Sequence, residues 1–142
     1  MKKNQKLVIV FFSIIFTSIC HAATFTPNCP EEISVGQKLS VPFIGWHATM
    51  LKPRYFLTGV SMYSDEPDEM SALKPDSNGS TRTTWYFNPH DKVHMACEYN
   101  QTSVQLTQAL PDNTTTCTVW YNQKIRSDKG FVPEHVTCEN SD

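Results

Sequence analysis

The sequence predicts a mainly β fold, α+β at most, in which a small antiparallel sheet or sandwich with one short helix is held together by two disulfides. Short segments rich in Val, Thr, Tyr and Trp alternate apolar and polar residues with the period of two that is typical of strands. Clusters of Asn, Asp, Gly, Pro and Ser separate these segments as turns. Four cysteines beyond an apolar amino-terminal run indicate export and cross-linking.

The amino terminus has the features of a secretory signal peptide, residues 1–22. Lysines precede an apolar run that is too short to span about 30 Å of hydrocarbon as a helix. Cleavage after Ala22 leaves small residues at the last and third-last positions. A lipoprotein alternative would acylate Cys20, but Ile19 stands where that signal requires a small residue. We therefore predict a single periplasmic domain over residues 23–142.

The charge of the mature chain limits the classes of partner. It keeps nine of the 12 basic residues and all 14 acidic ones, a formal charge of minus five. A nucleic-acid partner would need a basic footprint, so we expect none. No second apolar segment follows that could anchor the chain, so we expect no membrane association after cleavage. The balance suits a basic protein partner.

The cysteines predict the cross-links. An even number in an oxidising compartment indicates two disulfides. Cys117 and Cys138 are symmetric about the turn 127–130, so a hairpin centred there would place them opposite each other. Pairing of Cys97 with Cys117 is disfavoured because a predicted strand would lie between them. We therefore predict Cys117 with Cys138, which leaves Cys29 with Cys97. A zinc site is the alternative, but the cysteines form no C-x-x-C pair.

Residues 94–121 predict a meander of three antiparallel strands. In the first strand, Met95, Cys97 and Tyr99 fall on one face. Pro111 ends the second strand because proline has no backbone N–H to donate. The predicted strands of the meander are His94–Tyr99, Val104–Ala109 and Cys117–Tyr121, and those upstream are Glu31–Val41, Tyr55–Tyr63 and Thr83–Phe87.

The predicted helix begins at Asp65, where a capping carboxylate precedes Pro67 at the first helical position, and it ends before Pro75. Its acidic first turn complements the helix dipole, or it reaches a basic groove of a partner. The loop Asp112–Thr116 is the next candidate for partner contact. The predicted partner-binding residues are Tyr63, Asp65, Glu66, Asp68 and Glu69.

The three tryptophans have two possible roles. Tryptophan is enriched among interface anchors, and a small core also uses it. The sequence leaves both roles open for Trp46, Trp85 and Trp120.

No catalytic or metal chemistry is predicted. His90 and His94 are four residues apart, but Pro89 and the β character of the following residues argue against the helix on which that spacing would bring two ligands together. No G-x-S-x-G turn or S-x-x-K pair is present in the sequence. We expect no enzyme activity, no metal and no cofactor.

An ordered set of cysteines, aromatic residues and turn prolines resembles a family of small, mostly uncharacterised periplasmic proteins of proteobacteria. Some members are associated with type VI secretion islands as candidate immunity proteins. The likeness extends over nearly all of the mature chain. Its features are Cys29-Pro30, Gly45-Trp46, Pro67, Leu73, Pro75, Trp85, Cys97-x-Tyr99-x-x-Thr102, Leu106, Leu110-Pro111 and Cys117.

The resemblance implies a periplasmic immunity protein that binds a cognate secreted effector and blocks its attack on peptidoglycan. Such an effector would be an amidase or an L,D-transpeptidase-like enzyme, and the blocker would need no chemistry of its own. One alternative is an inhibitor of host lysozyme, which would also be small, periplasmic and disulfide-bonded. Another is a small periplasmic enzyme or metal-binding protein.

Overall fold

The computed structural model describes residues 22–49, 54–65 and 71–141. Within these ranges the chain forms strands and no helix, and no helix there could span a membrane. The predicted signal peptide lies almost entirely outside the described residues and stays a prediction. The strands are β1 (Ala23–Phe25), β2 (Glu32–Ser34), β3 (Arg54–Ser64), β4 (Ser77–Asn78), β5 (Arg82–Tyr86), β6 (Val93–Tyr99), β7 (Gln105–Ala109), β8 (Thr114–Ser127) and β9 (Gly130–Asn140).

The strands form two antiparallel sheets that share one core. One sheet has the order β1-β9-β8-β5-β4 and the other has the order β2-β3-β6-β7. A single hydrophobic cluster contains Met62 and Met95 of one sheet together with Trp85 and Val119 of the other. Both methionines and Val119 are almost completely buried. The sheets therefore pack face to face as a sandwich, which confirms the predicted mainly β class.

The predicted meander over residues 94–121 is only half right. β6 pairs with β7, but β8 belongs to the other sheet. The chain crosses between them at Leu110, which is buried and donates its backbone N–H to the carbonyl of Val93 at 2.9 Å. Pro111 then cannot continue the ladder. The cross-over also corrects the reason for keeping Cys97 apart from Cys117, because a sheet boundary separates them rather than an intervening strand.

Both predicted disulfides are confirmed. Cys117 lies directly opposite Cys138 in the β8–β9 ladder, with Cα atoms 4.1 Å apart. Cys29, in the segment before β2, is bonded to Cys97 in the middle of β6, with Cα atoms 5.7 Å apart. The first bridge lies within one sheet. The second ties the amino-terminal segment to the other sheet, at the point where β2 begins.

A bulge in β3 changes which side chains face the core. The predicted alternation assigned Leu57 to one face and Val60 and Met62 to the other, yet all three are buried in one cluster. The register against β6 shifts between Leu57 and Gly59. Because a bulge inserts one extra residue into a strand, it moves the following side chains to the opposite face. The core face therefore passes from odd to even positions within one strand.

The predicted strand Glu31–Val41 is shorter than the alternation indicates. Only Glu32–Ser34 pairs with β3, and Ser34 lies opposite Arg54, the first residue of that strand. Among the described residues, the ladder between β2 and β3 ends at this pair. From Gly36 to Thr49 the chain has no strand and every residue is exposed.

Candidate partner-binding surface

The predicted acidic turn lies where β3 ends. Tyr63 is half-buried and pairs with His94 of β6. Asp65 is exposed, and its backbone N–H donates to the carbonyl of Lys92 at 2.9 Å. Its φ of 59° is left-handed, whereas the cap of a helix has an extended backbone. Residues 66–70, which include Glu66, Asp68 and Glu69, lie outside the described residues.

The chain is not helical from residue 71 onward, where the structure again describes the region of the helix predicted to follow Asp65. Ala72 forms an antiparallel bridge with Tyr63, and the N–H of Leu73 donates to the carbonyl of Met62 at 2.8 Å. These residues are extended rather than helical. The assignment of the acidic turn to partner binding stays a prediction.

The second predicted contact, the loop Asp112–Thr116, is a tight turn. β8 already begins at Thr114, which is fully buried. The Thr114 hydroxyl donates to the carbonyl of Pro111 at 2.7 Å and lies 3.2 Å from the side-chain oxygen of Asn140. Only Asp112 and Asn113 are left as the exposed tip of the turn. This loop has little freedom to enter a cleft on a partner.

The two histidines considered as metal ligands occupy different environments. His90 is exposed in a turn, with φ of 79°. His94 is half-buried in β6. The chain between them is not helical, so the helical spacing does not apply. No group of three or more His, Cys, Asp or Glu that could hold a metal ion occurs in the described part of the chain.

The structure separates the three tryptophans. Trp85 is buried, and its indole N–H donates to the carbonyl of Leu73 at 3.1 Å. Trp120 is half-buried, and its ring lies against the Arg82 guanidinium at 5.4 Å and stacks on His135 at 5.9 Å. Trp46, in contrast, is 84% exposed. Trp46 is therefore the tryptophan that a partner could contact most directly.

Trp46 belongs to an exposed apolar segment, residues 37–49, which we call the apolar loop. It lies in the connection between Ser34 of β2 and Arg54 of β3. This connection is longer than the roughly 12 to 15 residues above which structureless loops in compact domains are uncommon and usually functional. The exposed large apolar side chains of the loop are Leu39, Val41, Phe43, Ile44 and Trp46.

A turn forms the tip of the apolar loop. The backbone N–H of Trp46 donates to the carbonyl of Phe43 at 3.2 Å, and Gly45 between them has φ of 82°. This is the position of a type II turn that requires positive φ, where a residue with a Cβ would be strained. The turn directs the chain outward at Ile44, which is fully exposed.

The tip of the β8–β9 hairpin lies near the start of β3, the strand into which the connection with the apolar loop leads. A cleft of about 390 Å³ separates Phe56, near the start of β3, from Ile125 and Arg126 of the tip. The β6–β7 turn at Asn100 lines the same cleft, and its side-chain oxygen accepts from the backbone N–H of Phe56 at 2.7 Å. The connection that carries the apolar loop leaves β2 at Ser34, opposite Arg54, and so joins the sheet at the start of β3. We call the start of β3, the hairpin tip and the apolar loop together the loop end.

A charged cluster holds the hairpin tip against the other sheet. Lys129, in the β8–β9 turn, forms a salt bridge with Glu98 of β6, which also accepts a hydrogen bond from Ser61 of β3. Gly59 makes room for it, because a Cβ there would lie 3.0 Å from the Glu98 carboxylate. Burial alone would raise the pKa of Glu98, but the hydrogen bonds from Lys129 and Ser61 and the charge of Lys129 together lower it.

The family model of the type VI secretion system Tli immunity protein matches residues 52–139, which is more than half of the chain. The chain belongs to the Tli immunity protein family. No curated protein and no solved structure matches it. The family match agrees with the resemblance to immunity proteins of type VI secretion islands.

The match to the Tli family covers one part of the candidate surface and not the other. Residues 52–139 include β3 to β8 and nearly all of β9, and thus the cleft, the hairpin tip and three of the four bonded cysteines. The apolar loop and Cys29 precede the matched region.

Sequence reasoning missed the apolar loop as a surface. Leu39 and Val41 alternate with polar residues, a pattern that predicts a strand. A signal that could have found the loop is the combination of Pro42 and Gly45, which break a strand, with four large apolar residues between positions 41 and 46.

Proposed function

We propose that this member of the Tli family is a periplasmic immunity protein that binds a cognate type VI effector and blocks its attack on peptidoglycan. The effector would be an amidase or an L,D-transpeptidase-like enzyme. The observation that carries the proposal is the family match over residues 52–139. The inhibitor acts by occupying the effector and uses no catalysis of its own.

The disulfides support the periplasmic part of the proposal. Cys117 and Cys138 are completely buried, and Cys97 is nearly so. Disulfides persist in oxidising compartments such as the periplasm and are rare in the cytosol. The predicted signal peptide would deliver the chain to the periplasm. There the protein meets an effector on the side of the membrane where peptidoglycan is exposed.

The stapled sandwich supports inhibition by binding alone. Two disulfides and a shared core fix the strands before a partner arrives, so little chain entropy is lost from the platform when the complex forms. A blocker of this kind needs a rigid scaffold, which the sandwich provides, and an exposed element that fits the effector, which the loop end provides.

Co-expression tests the proposal. The protein and the product of the adjacent effector gene are directed to the periplasm of a susceptible strain, and survival and co-purification are measured. We expect protection and a stable complex. Lysozyme serves as the specificity control, because an effector-specific inhibitor should leave its activity unchanged. Failure of both protection and co-purification would contradict the proposal.

A second experiment identifies the substrate of the effector. Purified effector is assayed on peptidoglycan sacculi and on phospholipid vesicles, with and without the immunity protein. We expect cleavage or cross-link exchange in the sacculi and its loss on addition of the immunity protein. Turnover of phospholipid instead would keep the immunity role and overturn peptidoglycan as the substrate.

A further inference from the structure

We propose that the effector docks on the loop end and that the tip of the apolar loop, Phe43 to Trp46, is the main anchor. The occupant is a recess on the effector with apolar walls and a rim of carboxylates. This inference rests on the proposed function, because the effector is the partner. It goes beyond that function in assigning the surface and the chemistry of the recess.

The exposure of the apolar loop is the first argument. Phe43, Ile44 and Trp46 lie within four consecutive positions, and none of them packs into the core. Two clefts on the apolar loop are lined by its own residues alone. Contiguous exposed apolar surface on a soluble protein marks an interaction site, and Trp is among the residues that most often dominate binding energy.

The shape of the apolar loop is the second argument. The type II turn at Gly45 makes the tip convex, so the matching surface of the partner is concave. Pro42 fixes one backbone angle just before the turn, which lowers the entropy lost when the tip is immobilised. A preformed convex tip that carries aromatic and branched side chains suits insertion into an apolar recess.

The charge around the tip is the third argument. The apolar loop, residues 37–49, contains Lys38 and no acidic residue. On the hairpin tip, across the cleft from the start of β3, Lys124 and Arg126 are exposed. Neither Lys38 nor Lys124 has a salt bridge with an acid in the part that the structure describes. Even with Asp128 counted, basic residues outnumber acidic ones on the apolar loop and the hairpin tip, and a partner rim that carries carboxylates is complementary to them.

Asp65, the residue of the predicted acidic turn that the structure describes, lies at the other end of β3 from Arg54. Arg54 and Asp65 bracket β3, an 11-residue strand. At about 3.3 Å per residue this strand places Asp65 roughly 30 Å from Arg54. A standard interface buries about 800 Å² on each partner, a patch of roughly 16 Å radius, so one centred on the start of β3 does not reach Asp65.

Matched substitutions test the assignment. Trp46→Ser and Ile44→Ser remove exposed apolar side chains from the tip, and Tyr86→Ser removes one that is 65% exposed on β5. Affinity for the purified effector is measured by calorimetry on the mature, oxidised protein. We expect the dissociation constant to rise about 30-fold or more for Trp46→Ser and less than about threefold for Tyr86→Ser. Melting temperatures should match the wild type, because these side chains make few contacts.

The outcomes distinguish the surface from the function. Wild-type binding with an unchanged affinity for both tip variants overturns the docking surface and leaves the immunity role intact. No binding by the wild type overturns both. If the wild type is a dimer that Trp46→Ser dissociates, the occupant is a second copy and the proposal fails. Co-sedimentation of the wild type with vesicles of phosphatidylethanolamine and phosphatidylglycerol, lost in Trp46→Ser, would assign the tip to a membrane and overturn it as well.

Discussion

Glu98 connects the two halves of the sandwich through one carboxylate. Its partners are Lys129 of the β8–β9 turn and Ser61 of β3. The Glu98 side chain is largely buried, and that of Lys129 is half-exposed. Solvent therefore screens the ion pair from one side, and its contribution to stability is modest. A carboxylate left without Lys129 would be a buried charge with one remaining hydrogen bond.

Replacing Glu98 with Gln should make stability less dependent on pH. The pKa of Glu98 in the folded protein is below its usual value of 4.5. Its charge therefore stabilises the fold above pH 4.5, and this contribution is lost as the pH falls through the folded pKa. Glu98→Gln should lower the free energy of unfolding by about 1 kcal/mol at pH 7, after allowance for the exposure of Lys129. Urea titrations of the wild type and of Glu98→Gln at pH 7 and pH 3 measure this change in the free energy of unfolding.

Glu134→Gln is the matched control for that experiment. Glu134 is exposed on β9, so its replacement should leave stability within about 0.5 kcal/mol at both pH values. The difference between wild type and Glu98→Gln should shrink at pH 3. A difference that is equal at the two pH values would show that the carboxylate acts through packing and not through its charge.

The sequence indicated some residue roles and not others, for physical reasons. The pairing of Cys117 with Cys138 was predictable because a hairpin places nearly symmetric positions opposite each other, and the register shifts along the β8–β9 ladder bring these two directly opposite. The role of Trp46 was not predictable from the sequence, because the exposure of a side chain depends on whether another element covers it. Trp85 and Trp46 both lie among β-forming residues, and only the fold buries the first and leaves the second exposed.

At the scale of elements, the two disulfides should contribute unequally. Cys29–Cys97 closes a sequence separation of 68 and Cys117–Cys138 one of 21. In the chain-entropy model these loops correspond to about 4.4 and about 3.3 kcal/mol. Replacing both cysteines of a pair with Ala should therefore destabilise the protein more at Cys29 and Cys97. Chemical denaturation of the two double variants measures which disulfide contributes more to the free energy of unfolding.

The reverse order would indicate that packing, and not loop closure, dominates the two bridges. The buried positions of Cys117 and Cys138 make this a sharp comparison, since loss of both sulfur atoms there also leaves a cavity. The wild type in the same buffer without reductant is the reference.

The elements also show where local pattern stops being informative. β6 was predictable because Met95, Cys97 and Tyr99 share a buried face at period two. β3 has the same kind of pattern, but the bulge between Leu57 and Gly59 reverses it midway. The bulge depends on pairing with β6 and on the Glu98 carboxylate beside Gly59, which are contacts distant in sequence.

For the whole molecule, the disulfides predict the response to reduction. Native protein should contain no reactive thiol after removal of the signal peptide. Reduction should lower the melting temperature by more than about 10 °C, because each bridge contributes several kcal/mol and about 1 kcal/mol moves a domain of this size by several degrees. Thiol labelling and calorimetry with and without reductant measure this. Two or more reactive thiols in unreduced protein would contradict it.

The assignment of strands to sheets could not be read from the sequence. β7 and β8 are consecutive, and a short polar turn joins them, which usually indicates neighbouring strands. They lie in different sheets because Leu110 is buried at the core and Pro111 interrupts the ladder.

Charge is unevenly distributed over the molecule, and this bears on association with a partner. The chain has 14 acidic against 12 basic residues, and the acids include those of the predicted acidic turn. The hairpin tip carries Lys124, Arg126 and Lys129 against Asp128. Because salt screens charges over about 8 Å at physiological ionic strength, only charges near the contact steer association strongly.

Reversing the charge of the hairpin tip should slow binding of the effector. With Lys124→Glu and Arg126→Glu combined, we expect the association rate constant to fall about tenfold at low salt and to approach that of the wild type near 0.5 M salt. The matched control combines Asp65→Lys with Glu66→Lys at the opposite end of β3 and should change the rate less than about twofold. Stopped-flow fluorescence at several salt concentrations measures both. If only the control variant, with Asp65→Lys and Glu66→Lys, associated slowly, the contact would lie on the acidic turn, as the sequence predicts, and not on the loop end.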